Sequence, residues 1–160
     1  MAEGRALQEL ATRVAHRNTG RRLDAAGDNV MKRVAADENL HHLFYRDLVS
    51  VAIELDPSTM IEAIERQVTN FEMPGVAIPQ FRRHAAAIAS AGIYDLAIHH
   101  HHVLQPVVGR SWSVAHVEGL DTNAAQARDR LLARMARSER VAVRLDERRD
   151  ERRLASSAAP

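Results

Sequence analysis

The sequence of 160 residues contains no cysteine, and only 4% of its residues are aromatic. Without cysteine, neither a disulfide framework nor thiolate chemistry is possible, which fits a reducing compartment, and we expect a cytoplasmic protein. No apolar run reaches the roughly 20 residues that a membrane-spanning helix needs, and the N-terminus lacks the apolar segment of a secretory signal. The shortage of aromatic side chains also argues against nucleic-acid binding by base stacking.

The residues that are present favour a folded, helical chain. Apolar residues make up 46% of the sequence, and its length suits one domain with a real core. Strong helix formers dominate, and β-branched residues do not alternate with period two over any long stretch. The composition therefore predicts an all-α chain.

Local signals place six helices with loops between them. The predicted ranges are about 6–22, 29–55, 57–70, 80–91, 96–108 and 124–154, with a loop at 73–79, an irregular segment at 109–120 and a fraying tail. The residues expected to cap or interrupt these helices are Asp28 for the second helix, Ser58 or Asp56 for the third, Gly92 at the end of the fourth, Asp95 for the fifth, Pro106 as a bend within the fifth, and Asp121 to Asn123 for the last.

A Glu-x-x-His pair lies inside the long second helix. Glu38 and His41 are three residues apart and share a helical face, so both can point at one ion. A carboxylate and a neutral imidazole suit iron, manganese or zinc. With eleven Glu and nine His in 160 residues, however, one such pair is close to the chance expectation. Taken alone, the motif favours a solvated Glu and a packed His.

Glu9 strengthens the metal interpretation because of its distance from the turn. If the first two helices are antiparallel, Glu9 and Glu38 lie at the same height, each roughly 20 Å from the turn at 1.5 Å per residue. Thr12 faces the same place. Ferritin-like di-iron proteins have this layout, with single Glu ligands on two helices and Glu-x-x-His motifs on two others.

Several segments, in order, resemble one family. Ala6 to Val14 and the His-Arg-Asn-Thr-Gly run at 16–20 are similar to the helix of acyl-[acyl-carrier-protein] desaturases that brings a single Glu ligand. Ala-Ala-Asp-Glu-Asn-Leu-His at 35–41 resembles that family's second Asp-Glu-x-x-His motif. Segments at 44–47, 73–75, 78–83, 92–95 and 107–112 resemble the actinobacterial branch.

The resemblance implies a ferritin-like helical bundle with a di-iron site. It matches Glu9 to the single-Glu ligand, and Glu38 and His41 to the ligands of the second motif. It also matches Thr12 to a hydroxyl near the iron pair and Asp37 to an acid on the electron-entry route. The implied activity is O2-dependent introduction of a cis double bond into an acyl chain carried by acyl carrier protein, in fatty acid biosynthesis, with a ferredoxin-type electron donor.

The resemblance also implies that the bundle is incomplete. Residues 6–120 correspond to the C-terminal half of the desaturase domain, 121–154 form an Arg-rich helix, and 155–160 form a disordered tail. Only half of the ligand set is present, since the other Glu residues at 54, 62, 65, 72 and 118 have no His three residues later. A truncated or split desaturase with little activity alone is expected. The alternatives are an inactive helical remnant or interaction protein, and a homodimer in which two copies complete the ligand set.

The remaining histidines, the single Trp and the Arg-rich segment are interpreted mainly as packing or surface features. We expect the four histidines at 99–102 to be solvated, with adventitious metal binding as the alternative, His42 to pack or lie at the surface, and Trp112 to anchor the core. Residues 128–153 hold ten Arg and six acids. The preferred interpretation of this segment is a solvated, salt-bridged helix. Docking of an acidic acyl carrier protein is the second interpretation, and nucleic-acid binding is the third.

Overall fold

Helices form all of the regular structure in the computed structural model, which describes residues 1–72 and 78–157. No strand occurs in these two ranges, so the predicted all-α class is confirmed. The elements are α1 (Ala2–Gly20), α2 (Ala25–Leu55), α3 (Pro57–Thr69), α4 (Phe81–Ser90), α5 (Leu96–His99), a π-helix (His100–Ser111), a 3-10 turn (Val114–His116) and α6 (Thr122–Ser157). Most of the predicted loop at 73–79, and residues 158–160 of the predicted tail, lie outside the described residues.

Helices α1 and α2 form an antiparallel hairpin with a four-residue turn. At the turn, Arg17 on α1 donates a 3.1 Å hydrogen bond to the carboxylate of Asp28 on α2. Gly20 allows this close approach, because a Cβ atom there would lie 2.9 Å from the Cβ of Met31. Such a distance is below normal van der Waals contact, so a larger residue at 20 would push the helices apart.

The start of α2 differs from the prediction. Asp24, not Asp28, is the N-cap, and its carboxylate accepts a 2.8 Å hydrogen bond from the amide of Gly27. Asp28 lies one turn further on and pairs instead with Arg17 and Lys32. The prediction was wrong because either acid can cap a helix in isolation, and only the packing against α1 engages Asp28.

The third helix is capped by Asp56, one of the two residues predicted for this role. Asp56 caps α3 by accepting a 3.1 Å hydrogen bond from the amide of Thr59, with Pro57 in the first turn. Ser58 has a different task, since its hydroxyl accepts a 3.0 Å bond from the amide of Asp121. This bond ties the start of α3 to the start of α6, which packs along α3.

The segment around Pro106 departs from the predicted α-helix. Asp95 caps α5 as expected, through a 2.9 Å bond from the amide of Ile98. After one turn, however, the chain continues as a π-helix as far as Ser111. In an α-helix, the Pro106 ring would clash with the carbonyl four residues before it, and Pro106 has no amide to donate. The wider π turn accommodates both constraints.

The core lies between α1, α3, the π-helix and α6. Trp112 is 4% exposed, and its indole N–H donates a 3.1 Å hydrogen bond to the backbone oxygen of Arg46 on α2, so its predicted role as a core anchor is confirmed. Among the described residues, no helix combines the length and apolar content that a membrane span requires. The largest fully buried side chains of the core belong to Leu7, Ile61, Ile64, Leu131, Val49, Val103, Val107, Val108 and Val114.

Candidate metal centre

Three potential ligands meet between α1 and α2. Glu9, Glu38 and His41 each offer a ligand atom, and these atoms lie within 4.8 Å of one another. Nδ1 of His41 is 3.7 Å from a carboxylate oxygen of Glu9 and 3.7 Å from one of Glu38. The antiparallel hairpin places Glu9 and Glu38 at the same height, as the residue spacing predicts. We call these three residues the metal triad.

Glu38 lies so close to Glu9 in the metal triad that it raises the pKa of Glu9. The pKa of Glu9 is above its usual range because its carboxyl shares a hydrogen bond with Glu38, because it is partly buried, and because the charge of Glu38 is close. Electrostatic interactions with His41 and Arg5 oppose these effects. Two carboxylates at this distance cannot both be ionised without cost, so the pair favours a shared proton or a bound cation.

His16 is a neighbour of the metal triad that the sequence interpretation missed. Its Nε2 atom lies 3.8 Å from a carboxylate oxygen of Glu38. His16 follows Glu9 by seven residues on α1, which is two helical turns, and this spacing places both on one face. The i, i+7 relationship was therefore a usable signal in the sequence.

The two residues that the resemblance matches to catalytic roles lie beside the metal triad in sequence. Thr12 is one turn after Glu9, and its hydroxyl donates hydrogen bonds to the backbone oxygens of Gln8 and Glu9, at 3.2 and 3.0 Å. Asp37 precedes Glu38 on α2 and has an exposed side chain. The geometry thus assigns Thr12 a bond to its own helix, while the role of either residue in a reaction stays a prediction.

His42 packs between the two helices of the hairpin. The buried ring donates from Nδ1 a 2.9 Å hydrogen bond to the backbone oxygen of Ala6 on α1. Burial lowers the pKa of His42, and the hydrogen bond to Ala6 opposes this effect in part. Of the two predicted alternatives for His42, packing is confirmed.

The prediction of a solvated histidine run at 99–102 is wrong for its first two members. His99 and His100 are buried, and the ring of His99 stacks on Phe71 with centroids 4.5 Å apart. Nδ1 of His99 and the hydroxyl of Tyr94 share a 2.8 Å hydrogen bond. Helical geometry turns His101 outward, where its Nε2 lies 3.1 Å from Asp146. The sequence could not reveal which face of this helix meets the core.

The Arg-rich helix α6 has the predicted ion pairs with neighbouring acids. Arg130 lies 3.5 Å from Glu65 on α3, and Arg149 pairs with Asp95 before α5 and with Asp146 on α6 itself. These contacts attach α6 to the rest of the chain by charge as well as by its apolar face. The preferred interpretation, a salt-bridged helix, agrees with this arrangement.

The architecture is of the ferritin-like class: an all-helical chain in which acidic and histidine side chains meet between two antiparallel helices. The family model described as "Fatty acid desaturase" matches residues 5–159. The chain therefore belongs to the fatty acid desaturase family. The resemblance noted in the sequence is confirmed.

Curated relatives carry names that describe acyl-[acyl-carrier-protein] desaturases. DesA1 of Mycobacterium tuberculosis is 42% identical over 78% of this chain and 37% of its own length. The chloroplastic desaturase 7 of Oryza sativa subsp. indica is 31% identical over 97% of this chain and 41% of its own length. The chloroplastic stearoyl-[acyl-carrier-protein] 9-desaturase 6 of Arabidopsis thaliana is 31% identical over 88% and 38%. The chain thus spans about two fifths of the length of these relatives.

Proposed function

We propose that this chain takes part in the O2-dependent desaturation of acyl chains bound to acyl carrier protein, and that Glu9, Glu38 and His41 hold iron. The observation that carries the proposal is the meeting of two carboxylates and one imidazole within 4.8 Å, on two antiparallel helices of a chain that belongs to the desaturase family. The names of the curated relatives support the substrate class.

The metal triad fits an iron ion by its chemistry. Carboxylate oxygens and a neutral imidazole suit iron, and a cation between Glu9 and Glu38 would relieve the repulsion that raises the pKa of Glu9. When bound, a pair of iron ions supplies the activation of O2 that the removal of two hydrogens from an acyl chain requires. The protein's own contribution is to place the two carboxylates at one height and to keep the His41 imidazole beside them.

The neighbouring residues support the metal triad in distinct ways. The hydrogen bond from His42 to Ala6 keeps α1 and α2 in register, and this register places Glu9 opposite Glu38. We assign Thr12 to the space near the iron pair and Asp37 to the route of electron entry, following the resemblance. The electron donor is of the ferredoxin type, and the Arg-rich face of α6 is the surface proposed for the acidic acyl carrier protein.

The ligand count limits what one copy does by itself. A ferritin-like di-iron centre uses two single Glu residues and two Glu-x-x-His motifs. Glu9, Glu38 and His41 provide half of that set. We therefore expect one copy to bind iron weakly and to desaturate little or no substrate on its own.

Iron binding tests the assignment of ligands directly. Glu38→Gln and His41→Ala are expected to lower the affinity for ferrous iron at least tenfold, measured anaerobically by equilibrium dialysis with metal analysis. Glu54→Gln is the matched control for Glu38, because Glu54 is an exposed Glu on the same helix. Iron binding that is equal in all four proteins would contradict the proposal.

A desaturation assay tests the ligand count. The purified chain, with a reduced ferredoxin-type donor and acyl carrier protein bearing a stearoyl chain, is expected to give at most trace product. Robust turnover by a single copy would show that half of the ligand set suffices. Absence of both iron binding and turnover would favour the second candidate, a helical interaction protein that retains the fold without the chemistry.

A further inference from the structure

A cavity of about 350 Å³ lies where α1, α2 and the π-helix meet, and none of the three residues of the metal triad lines it. Three arginines do, one from each element: Arg13 from α1, Arg46 from α2 and Arg110 from the π-helix. None of the described residues in its lining is acidic. We call this space the arginine cavity.

Two hydrogen bonds between elements fix the walls of the arginine cavity. The indole N–H of Trp112, two residues after Arg110, donates a 3.1 Å bond to the backbone oxygen of Arg46. The ring of His42, which also lines the cavity, donates a 2.9 Å bond to the backbone oxygen of Ala6 on α1. Both rings are buried. The three elements that carry the arginines are therefore held together by the fold itself.

The charges of the three guanidinium groups are only partly balanced. Arg46 is paired with the carboxylate of Asp47 at 2.6 Å. Arg13 and Arg110 form no ion pair with any residue that the structure describes. An arginine stays protonated at ordinary pH, so these two side chains keep two positive charges beside one cavity. An anion between them would relieve their mutual repulsion.

Neutral donors complete the lining of the arginine cavity. Asn39 of α2 and His102 of the π-helix both line it, and neither side chain has a hydrogen bond to another described residue. An amide group offers two N–H donors, and a neutral imidazole offers one. The cavity therefore combines positive charge with hydrogen-bond donors that need no protonation.

The arginine cavity lies on a different side of α2 from that helix's exposed apolar row. Its α2 lining comes from positions 39, 42, 43 and 46, which share one face of the helix. The mean directions of this face and of the apolar row are roughly 150° apart at 3.6 residues per turn. A partner seated on the row would thus lie on the other side of α2 from the cavity. The row consists of Leu40, Phe44, Leu48, Val51 and Leu55.

We propose that the arginine cavity binds a phosphate group, either as inorganic phosphate or as the end of a small phosphate ester. A phosphate monoester carries close to two negative charges at neutral pH, which matches the charges that Arg13 and Arg110 bring to the cavity. Guanidinium groups bind phosphate oxygens through pairs of parallel N–H donors. The volume lies near the lower end of the range for small-molecule sites, about 300–1,000 Å³, so the cavity suits a small ligand.

Titration calorimetry of the metal-free protein with inorganic phosphate, at neutral pH and low salt, tests the site. One phosphate is expected to bind per chain, and Arg13→Gln and Arg110→Gln are each expected to lower the affinity at least tenfold. Arg33→Gln is the matched control, because Arg33 is an exposed arginine of α2 outside the lining. Failure to bind at millimolar phosphate, or an equal loss in all three variants, would overturn the proposal.

Filling the cavity distinguishes an enclosed site from attraction to a charged surface. Leu43 is a half-buried residue of the lining, and Leu43→Trp is expected to abolish phosphate binding although all three arginines remain. Leu48→Trp is the control, because Leu48 is on the exposed row of the same helix. Unchanged binding by a folded Leu43→Trp protein would contradict the cavity. If Leu43→Trp loses its helical circular dichroism, Arg110→Gln decides, since Arg110 is exposed.

Two further comparisons identify the form of the ligand and separate this site from the metal triad. Tighter binding of glycerol 3-phosphate than of inorganic phosphate would assign the cavity to an ester, and the reverse order would assign it to free phosphate. Glu38→Gln should leave phosphate binding unchanged, because Glu38 is not in the lining. Loss of phosphate binding in Glu38→Gln would mean that the anion binds at the metal triad, and it would overturn the proposal.

Discussion

Nδ1 of His42 lies 2.9 Å from the backbone oxygen of Ala6, which makes this buried ring a direct link between α2 and α1. The preceding residue, His41, is exposed and faces the carboxylates of Glu9 and Glu38 instead. Two consecutive histidines therefore have different tasks, one in the packing of the hairpin and one in the metal triad. Substitutions can separate these tasks.

Replacing His42 is expected to destabilise the protein. His42→Ala removes a buried hydrogen bond and leaves a void between α1 and α2, which together cost about 2–3 kcal/mol of unfolding free energy. Urea denaturation of the metal-free protein, followed by circular dichroism at 222 nm, measures this loss. The matched control is His41→Ala, for which the change should stay within about 0.5 kcal/mol because the ring is exposed. Equal losses for both would show that His42 has no special role in the hairpin.

Removing one charge from the metal triad is expected to affect the metal-free and metal-bound protein in opposite directions. Glu9→Gln relieves the repulsion that raises the pKa of Glu9, so the metal-free variant should be at least as stable as the unaltered protein. It should also lose the increase in melting temperature that ferrous iron produces. Thermal unfolding with and without iron measures both effects. A metal-free variant that is clearly less stable would mean that the two carboxylates contribute to the fold.

Burial of His99 is expected to make stability depend on pH. Burial lowers the pKa of His99 to about 4, from an ordinary value of 6.5. Between these values the unfolded chain binds a proton that the folded chain does not, so stability falls as the pH decreases from 6.5 to 4 and falls no further through this group below 4. A shift of this size corresponds to roughly 3 kcal/mol.

The pH dependence can be assigned to His99 by comparison with variants. Urea unfolding at pH 7 and pH 4.5 should show a smaller loss for His99→Gln than for the unaltered protein, since Gln does not titrate. His84→Gln serves as the matched control, because His84 is an exposed histidine on α4. An identical loss in all three proteins would rule out His99 as the source.

The cap of α2 offers a test of the corrected helix start. Asp24→Ala removes the bond that Gly27 donates and should cost about 1 kcal/mol of unfolding free energy. Asp24→Asn should recover most of this loss, because the Asn side chain also has an oxygen that accepts the bond. The two variants can be compared by thermal unfolding at neutral pH. If Asn fails to recover stability, the charge of Asp24 and not its capping bond is what stabilises the helix.

Much of the candidate site was predictable because it depends on helix geometry. The rise per residue is constant, so two ligands equally distant from a turn must lie at equal height once the helices are antiparallel. Glu38 and His41 share a face for the same reason. His16 could have been added by the same argument, since it is two turns from Glu9. What these arguments require is only that the two helices form and that the chain turns between them.

Other features depended on neighbours that are distant in the sequence. Asp24 and Asp28 are equally good caps, and only the contact of Arg17 with Asp28 separates their roles. The burial of His99 follows from Phe71 and Tyr94, which reach it from other segments. The π-helix around Pro106 depends both on the backbone constraints of the proline and on the packing of this segment against α1 and α6. No pattern within a single helix contains this information.

The sequence by itself determined the helical class, the family, and the positions of Glu9, Glu38 and His41 along their helices, because these follow from composition, motif order and helical repeat. The tertiary structure alone decided which polar side chains are buried, which acid caps α2, and that no described part of the chain covers one face of α2 beside the metal triad. Those outcomes depend on which surfaces meet in three dimensions. An apolar residue on a helix looks the same in the sequence whether its partner is another part of the chain or lies outside it.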